Sequence, residues 1–254
     1  MTKLISEKRL RKLNIVAGFL HLTQGIAVLL LSKNFLLPIS GSYLKFNPIS
    51  QSLEPTTQFL FNLSLPLLVA IFLFICAVAH FTIAAVYNKQ YNSQLKQGIN
   101  AARWIEYSLS ASVMIVGIAL MVGIYDAMSL LMLFALVAIM NLLGLVMEVH
   151  NQTTKKTNWI SFLVGCLAGL VPWVVIAFYL WLGAANGSSA PTFVYWIFVS
   201  IFIFFNCFAI NMVLQYKKVG PWKNYLYGEL AYIILSLVTK SLLAWQVFAG
   251  TLRP

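Results

Sequence analysis

Seven apolar runs dominate the chain, each long enough to cross about 30 Å of hydrocarbon at about 20 residues per crossing. They lie roughly at 13–32, 63–86, 97–124, 127–148, 159–183, 191–215 and 226–249. In lipid every backbone N–H and C=O must be satisfied within the protein, and uninterrupted runs of this length can only do so as helices. The expected fold is an all-α membrane protein, a seven-transmembrane-helix bundle, with residues 1–254 forming one unit. Composition agrees, since 61% of residues are hydrophobic and 9% charged, against roughly 25% charged in soluble domains. The first run follows basic residues as a secretory signal would. It is too long for one, contains His21 and Gln24, and lacks a small-x-small cleavage site, so it reads as a retained helix.

The formal charge of +11 does not point to nucleic acid, because the basic residues sit in short segments between the apolar runs. Thirteen Lys and Arg fall on the side of the N-terminus, beginning with Lys3, Lys8, Arg9, Arg11 and Lys12. Only Lys33, Lys45 and Arg253 fall on the other side, and Lys240 lies within a span. This asymmetry predicts a cytoplasmic N-terminus, an extracellular C-terminus and a multi-pass place in the plasma membrane.

Most connections are short. The exception runs from Ser32 to Asn62, where FLLPISGSYLKF places β-branched and aromatic residues around a Ser-Gly-Ser turn and predicts a small hairpin. In the fifth span, GCLAG sets Gly165 and Gly169 four apart, a spacing that allows close helix packing within the bundle or between copies. Cys76, Cys166 and Cys207 fall in three different spans and indicate neither a disulfide nor a metal site.

Ionisable groups inside a bundle are costly and usually functional. Lys240, in LVTKSLLAW, lies about 20 Å along the last span, too deep to reach either surface. Its candidate partner is Glu106 in RWIEYSLSASVM. If the third helix starts near Ser93, Glu106 reaches a depth comparable to that of Lys240. Arg103, one turn closer to the N-terminal side, competes for Glu106, but Lys240 is the only cation expected at the bundle centre. Two chemistries follow. The pair is a plain ion pair, of little net stabilising value, or the amine is a nucleophile that forms an imine with a carbonyl compound, leaving Glu106 as counterion. His21 and His80 fall mid-span and are candidates for a proton-accepting cluster. Neither has a second ligand at helical spacing, so no metal is expected.

Seven helices, a lysine in the seventh and R-W-x-E-Y in the third resemble the retinal-binding microbial rhodopsins. The closer resemblance is to the heliorhodopsin family, through GFLHLTQ, RWIEYSLSASVM, GCLAGLVPW, FFNCFA and LSLVTKSLLAWQVFAGT. The inverted topology belongs to the same family. The resemblance implies all-trans retinal bound covalently to Lys240 as a protonated Schiff base, with Glu106 as counterion and Ser236 hydrogen-bonding nearby. It implies that Tyr107, Ser110, Met140 and Phe205 line the retinal pocket, that His21 and His80 border a hydrated cavity on the cytoplasmic side, and that the protein is a homodimer. Light-driven proton pumps carry carboxylates where this chain has Ser236 and Gly117, and a tryptophan where it has Phe205. The expected function is therefore a light-sensing photoreceptor with a slow photocycle, signalling to a separate cytoplasmic partner. It is not an enzyme. Light-driven ion movement by an unusual route is the alternative.

Overall fold

The computed structural model describes residues 5–253; Lys3, counted above with the basic residues, lies outside them. In chain order the elements are α1 (Glu7–Leu31), β1 (Leu36–Asn47), β2 (Ser52–Ser64), α2 (Leu65–Ala84), α3 (Asn88–Lys96), α4 (Ala101–Met121), α5 (Ala127–His150), α6 (Ile160–Ala185), α7 (Thr192–Tyr216) and α8 (Tyr225–Val247). Every helix but α3 is long and apolar enough to cross a bilayer. The seven-helix expectation therefore holds, with span limits moved by a few residues.

The helices begin where side chains can take up free N–H groups. Ser6 Oγ accepts from Arg9 N, Asn100 Oδ1 from Arg103 N, and Asn224 Oδ1 from Leu226 N. Asp126 Oδ1 accepts from Ser129 N at 2.8 Å and from its hydroxyl at 2.9 Å. These bonds, the backbone one first, hold the Asp126 carboxyl below its usual range.

Burial is inverted relative to a soluble protein. Val78, Leu131, Leu163, Trp196 and Ile234 face outward, while Asn14, His21, His80, Arg103, Glu148, Glu229 and Lys240 are buried. Lipid rather than water covers the outer surface, so polar groups find partners only inside. The helices pack in the ring order α1, α2, α4, α5 and α6, with α7 against α8 and α8 back against α1. Bulky aromatics fill the space between α6 and α7, where the Trp173 ring lies 5.5 Å from that of Phe205.

β1 and β2 form an antiparallel hairpin, as expected, but its turn is elsewhere. The pairing runs from Leu36↔Ser64 to Asn47↔Ser52, so the chain reverses at residues 48–51, with Gln51 at φ +50°. The Ser40-Gly41-Ser42 stretch lies within β1, beside a register shift between Ile39 and Ser40. Glycine inside a strand commonly marks such an irregularity, and here Gly41 pairs with Gln58 instead of forming the expected turn. The base of the hairpin is anchored: Leu37 and Ile39 are buried, and Ser40 N donates to Tyr125 O at 2.9 Å in the α4–α5 connection. Its tip is exposed.

Candidate functional site

Lys240 sits on the inner face of α8, one turn after Ser236. Its Nζ donates to Glu106 Oε1 at 2.6 Å and to Ser236 Oγ at 2.9 Å. Both Lys240 and Glu106 are buried. The pair expected from the sequence is therefore present, although its members do not lie equally far along their helices. α4 starts at Ala101 rather than near Ser93, which lies inside α3. Glu106 is thus in the second turn of its helix and Lys240 in the fifth of its own. They meet because the Asn100 cap is itself buried, so that α4 begins inside the bundle. Helical side chains also lean toward their N-terminus, and the bond to Ser236 shows Lys240 reaching back a full turn.

Arg103 does not compete for Glu106. Its guanidinium pairs with Glu148 of α5 and Glu229 of α8, and lies 3.9 Å from the centroid of the Tyr232 ring. Asn100 adds two bonds, its N–H to Glu148 at 2.9 Å and its Nδ2 to Glu229 at 2.6 Å. Trp104 Nε1 donates to Glu148 at 2.7 Å. Lys240 is consequently not alone as a buried cation, and two buried carboxylates were missed. Glu148 closes the predicted fourth span and Glu229 opens the seventh, positions that read as membrane-edge residues. The signal for their burial was Asn100 beside Arg103, a helix start that needs acceptors where no water reaches.

Between this cluster and the Lys240 pair lies a polar cavity of about 20 Å³, bordered by Asn14, His80, Asn100, Arg103, Glu106 and Glu229. That is room for about one water molecule. His80 Nδ1 lies 2.7 Å from Asn14 Oδ1, and its ring stacks on His21 with centroids 5.6 Å apart and planes within 9°. Neither His21 nitrogen has a hydrogen-bond partner among the described residues. The two histidines therefore do meet, and His80 shares a cavity with Glu106.

On its other side Lys240 opens into an apolar cavity of about 100 Å³ between α4, α5, α6 and α7. Tyr107, Met140 and Phe205, three of the pocket candidates, line it together with Lys240. Nζ lies 4.8 Å from the Tyr107 ring centroid, and the Tyr107 hydroxyl donates to Tyr232 O at 3.0 Å. Ser110 is fully buried one turn beyond Glu106, is not among the lining residues, and its Oγ has no partner among the described residues. Gly165 and Gly169 face α5: a Cβ on Gly169 would lie 2.2 Å from Met140 Sδ and one on Gly165 3.3 Å from Met140 O. This glycine pair seats Met140 within the bundle.

An amine at the mouth of an apolar slot, with a carboxylate and a hydroxyl on the amine and aromatic walls beyond it, fits an apolar aldehyde attached through an imine. The slot would take the hydrocarbon and Glu106 would balance the positive nitrogen. Cys76 of α2, not singled out in the sequence, completes the surroundings with Sγ 3.0 Å from Glu106 Oε1. Among the described residues no group of His, Cys, Asp and Glu could hold a metal ion.

No curated protein sequence gives a significant match to the chain. Residues 10–252 match the model of the heliorhodopsin family, from the first turns of α1 through the residues beyond α8. The chain belongs to the heliorhodopsin family and is a multi-pass, retinal-binding rhodopsin.

Proposed function

We propose that this protein is a light sensor in which retinal is held by Lys240 and no ion is carried across the membrane. Retinal, when bound, supplies absorption of visible light and a light-driven change of shape. Lys240 provides the attachment, and Glu106 balances the charge at Nζ and can accept a proton there across 2.6 Å. Ser236 orients the nitrogen, Tyr107, Met140 and Phe205 shape the space around the retinal chain, and Ser110 lies behind that lining, one turn beyond Glu106. His80, which borders the small polar cavity with Glu106, and His21 stacked on it are the further proton-acceptor candidates.

The observation that carries the sensor reading is an asymmetry. Every buried charged or imidazole side chain among the described residues lies level with Lys240 or on the N-terminal side of it. The other half is packed with apolar residues, among them Val28, Leu68, Leu73, Ile118, Leu243 and Val247. Where pumps place a donor carboxylate the chain has Gly117, and a Cβ there would touch only Leu68. A proton leaving Nζ has acceptors on one side alone, so it can move out and return without crossing.

The excess of Lys and Arg at the N-terminal ends supports a cytoplasmic N-terminus and a plasma-membrane location. The polar cavity then faces the cytoplasm, where a separate partner would read the slow conformational signal. We propose a homodimer as well, although the Gly165/Gly169 pair is taken up by Met140 and is not its contact surface. The test is illumination of retinal-loaded vesicles while pH and current are recorded. Transient signals that return to baseline under continuous light are expected. A sustained, retinal-dependent flux would overturn the sensor reading in favour of light-driven transport.

A further inference from the structure

Cys76 is fully buried on α2, and its Sγ lies within reach of two acceptors. One is the backbone oxygen of Phe72, four residues earlier in the same helix, at 2.8 Å. The other is Glu106 Oε1 at 3.0 Å, the same oxygen that accepts from Lys240 Nζ. A thiol has one proton and can serve one acceptor at a time. We propose that Cys76 is a positioning residue for the counterion: its thiol donates to Glu106 while that carboxylate is charged and turns to the Phe72 carbonyl when Glu106 is protonated.

The choice follows from acceptor strength. A hydrogen bond to an ionised oxygen is roughly twice as strong as one to a neutral oxygen, so the charged carboxylate outcompetes the peptide carbonyl. Protonation removes that advantage, and the i−4 carbonyl is the standing alternative for a small polar side chain in a helix. The groups facing Glu106 are Lys240, Glu229 and Tyr232 from α8, Cys76 and His80 from α2 with His21 of α1 stacked behind the imidazole, Tyr91 from α3, and Arg103 and Tyr107 from its own helix. Of these, Lys240 and Cys76 are the two that donate to Oε1. The thiol therefore helps to keep Glu106 charged, and draws part of that charge away from Nζ.

The role of Glu106 as counterion rests on the retinal reading, so the decisive measurement is made before retinal is added. Infrared spectra of the retinal-free protein in the S–H stretching region should show one band displaced by a strong hydrogen bond. That band should disappear in Cys76→Ser and in Cys76→Ala, and move in Glu106→Gln. Cys76→Ser, which keeps a donor of similar size, guards against a variant that fails to fold. A Cys76 band that is unchanged by Glu106→Gln would overturn the proposal. After retinal is added, the acid-induced colour change of Cys76→Ala should move to higher pH by about one unit, from the loss of one hydrogen bond to a charged group. Titration identical to that of the parent would equally overturn it. If retinal gives no visible band in the parent, the reading of Lys240 fails, while the infrared result still decides the role of Cys76.

Discussion

A lysine within lipid requires compensation, and here Glu106 and Ser236 supply it directly at Nζ. Once retinal is attached, the negative charge of Glu106 is what favours a protonated nitrogen. Glu106→Gln should therefore let the nitrogen lose its proton at lower pH, by about one unit for each ~1.4 kcal/mol of stabilisation removed. The pigment that stays protonated should absorb at longer wavelength. A pH titration of the visible band measures both, and a variant that titrates and absorbs like the parent would show that Glu106 is not the counterion. The two partners were legible in the sequence because each stands out as an ionisable residue well inside an apolar run. Cys76 was not, since a cysteine in a membrane span looks like any small apolar residue until its neighbours are known.

Among the elements, α4 departs most from its sequence reading. An apolar run gives a helix's extent but not the depth at which it enters the bundle. Asn100 starts α4 in the interior, and Arg103 with Glu148 and Glu229 forms the floor beneath it, joining α4, α5 and α8. Two carboxylates depend on one cation there. Arg103→Met should thus cost about 3–5 kcal/mol by leaving two buried carboxylates without a balancing cation. Adding Glu148→Gln and Glu229→Gln should restore much of that loss, because the uncompensated charges go with them. Thermal unfolding in detergent micelles compares the two. A triple variant no more stable than Arg103→Met would mean that the cluster acts through packing rather than charge. The hairpin teaches a related lesson: Gly41 and its serines fit a turn locally, and only the pairing with β2 shows that they belong to a strand. Strand register is a long-range property and short-range turn chemistry cannot fix it.

At the scale of the whole molecule, polarity is divided at the level of Lys240. One half of the bundle holds the histidines, the small polar cavity and the Arg103 cluster, and the other is an apolar plug. The number of spans was legible from hydropathy because lipid leaves a chain so few solutions. The division was only partly legible, since which residues share a level depends on where each helix starts. It makes Lys240 the point where the apolar slot, the counterion and the polar half meet, and the account depends on retinal being bound there. The most direct measurement is the visible absorption spectrum of the purified protein after addition of all-trans retinal, beside that of Lys240→Ala. The account predicts a visible band in the parent that is absent from the variant. No band in the parent, or an unchanged band in Lys240→Ala, would contradict it.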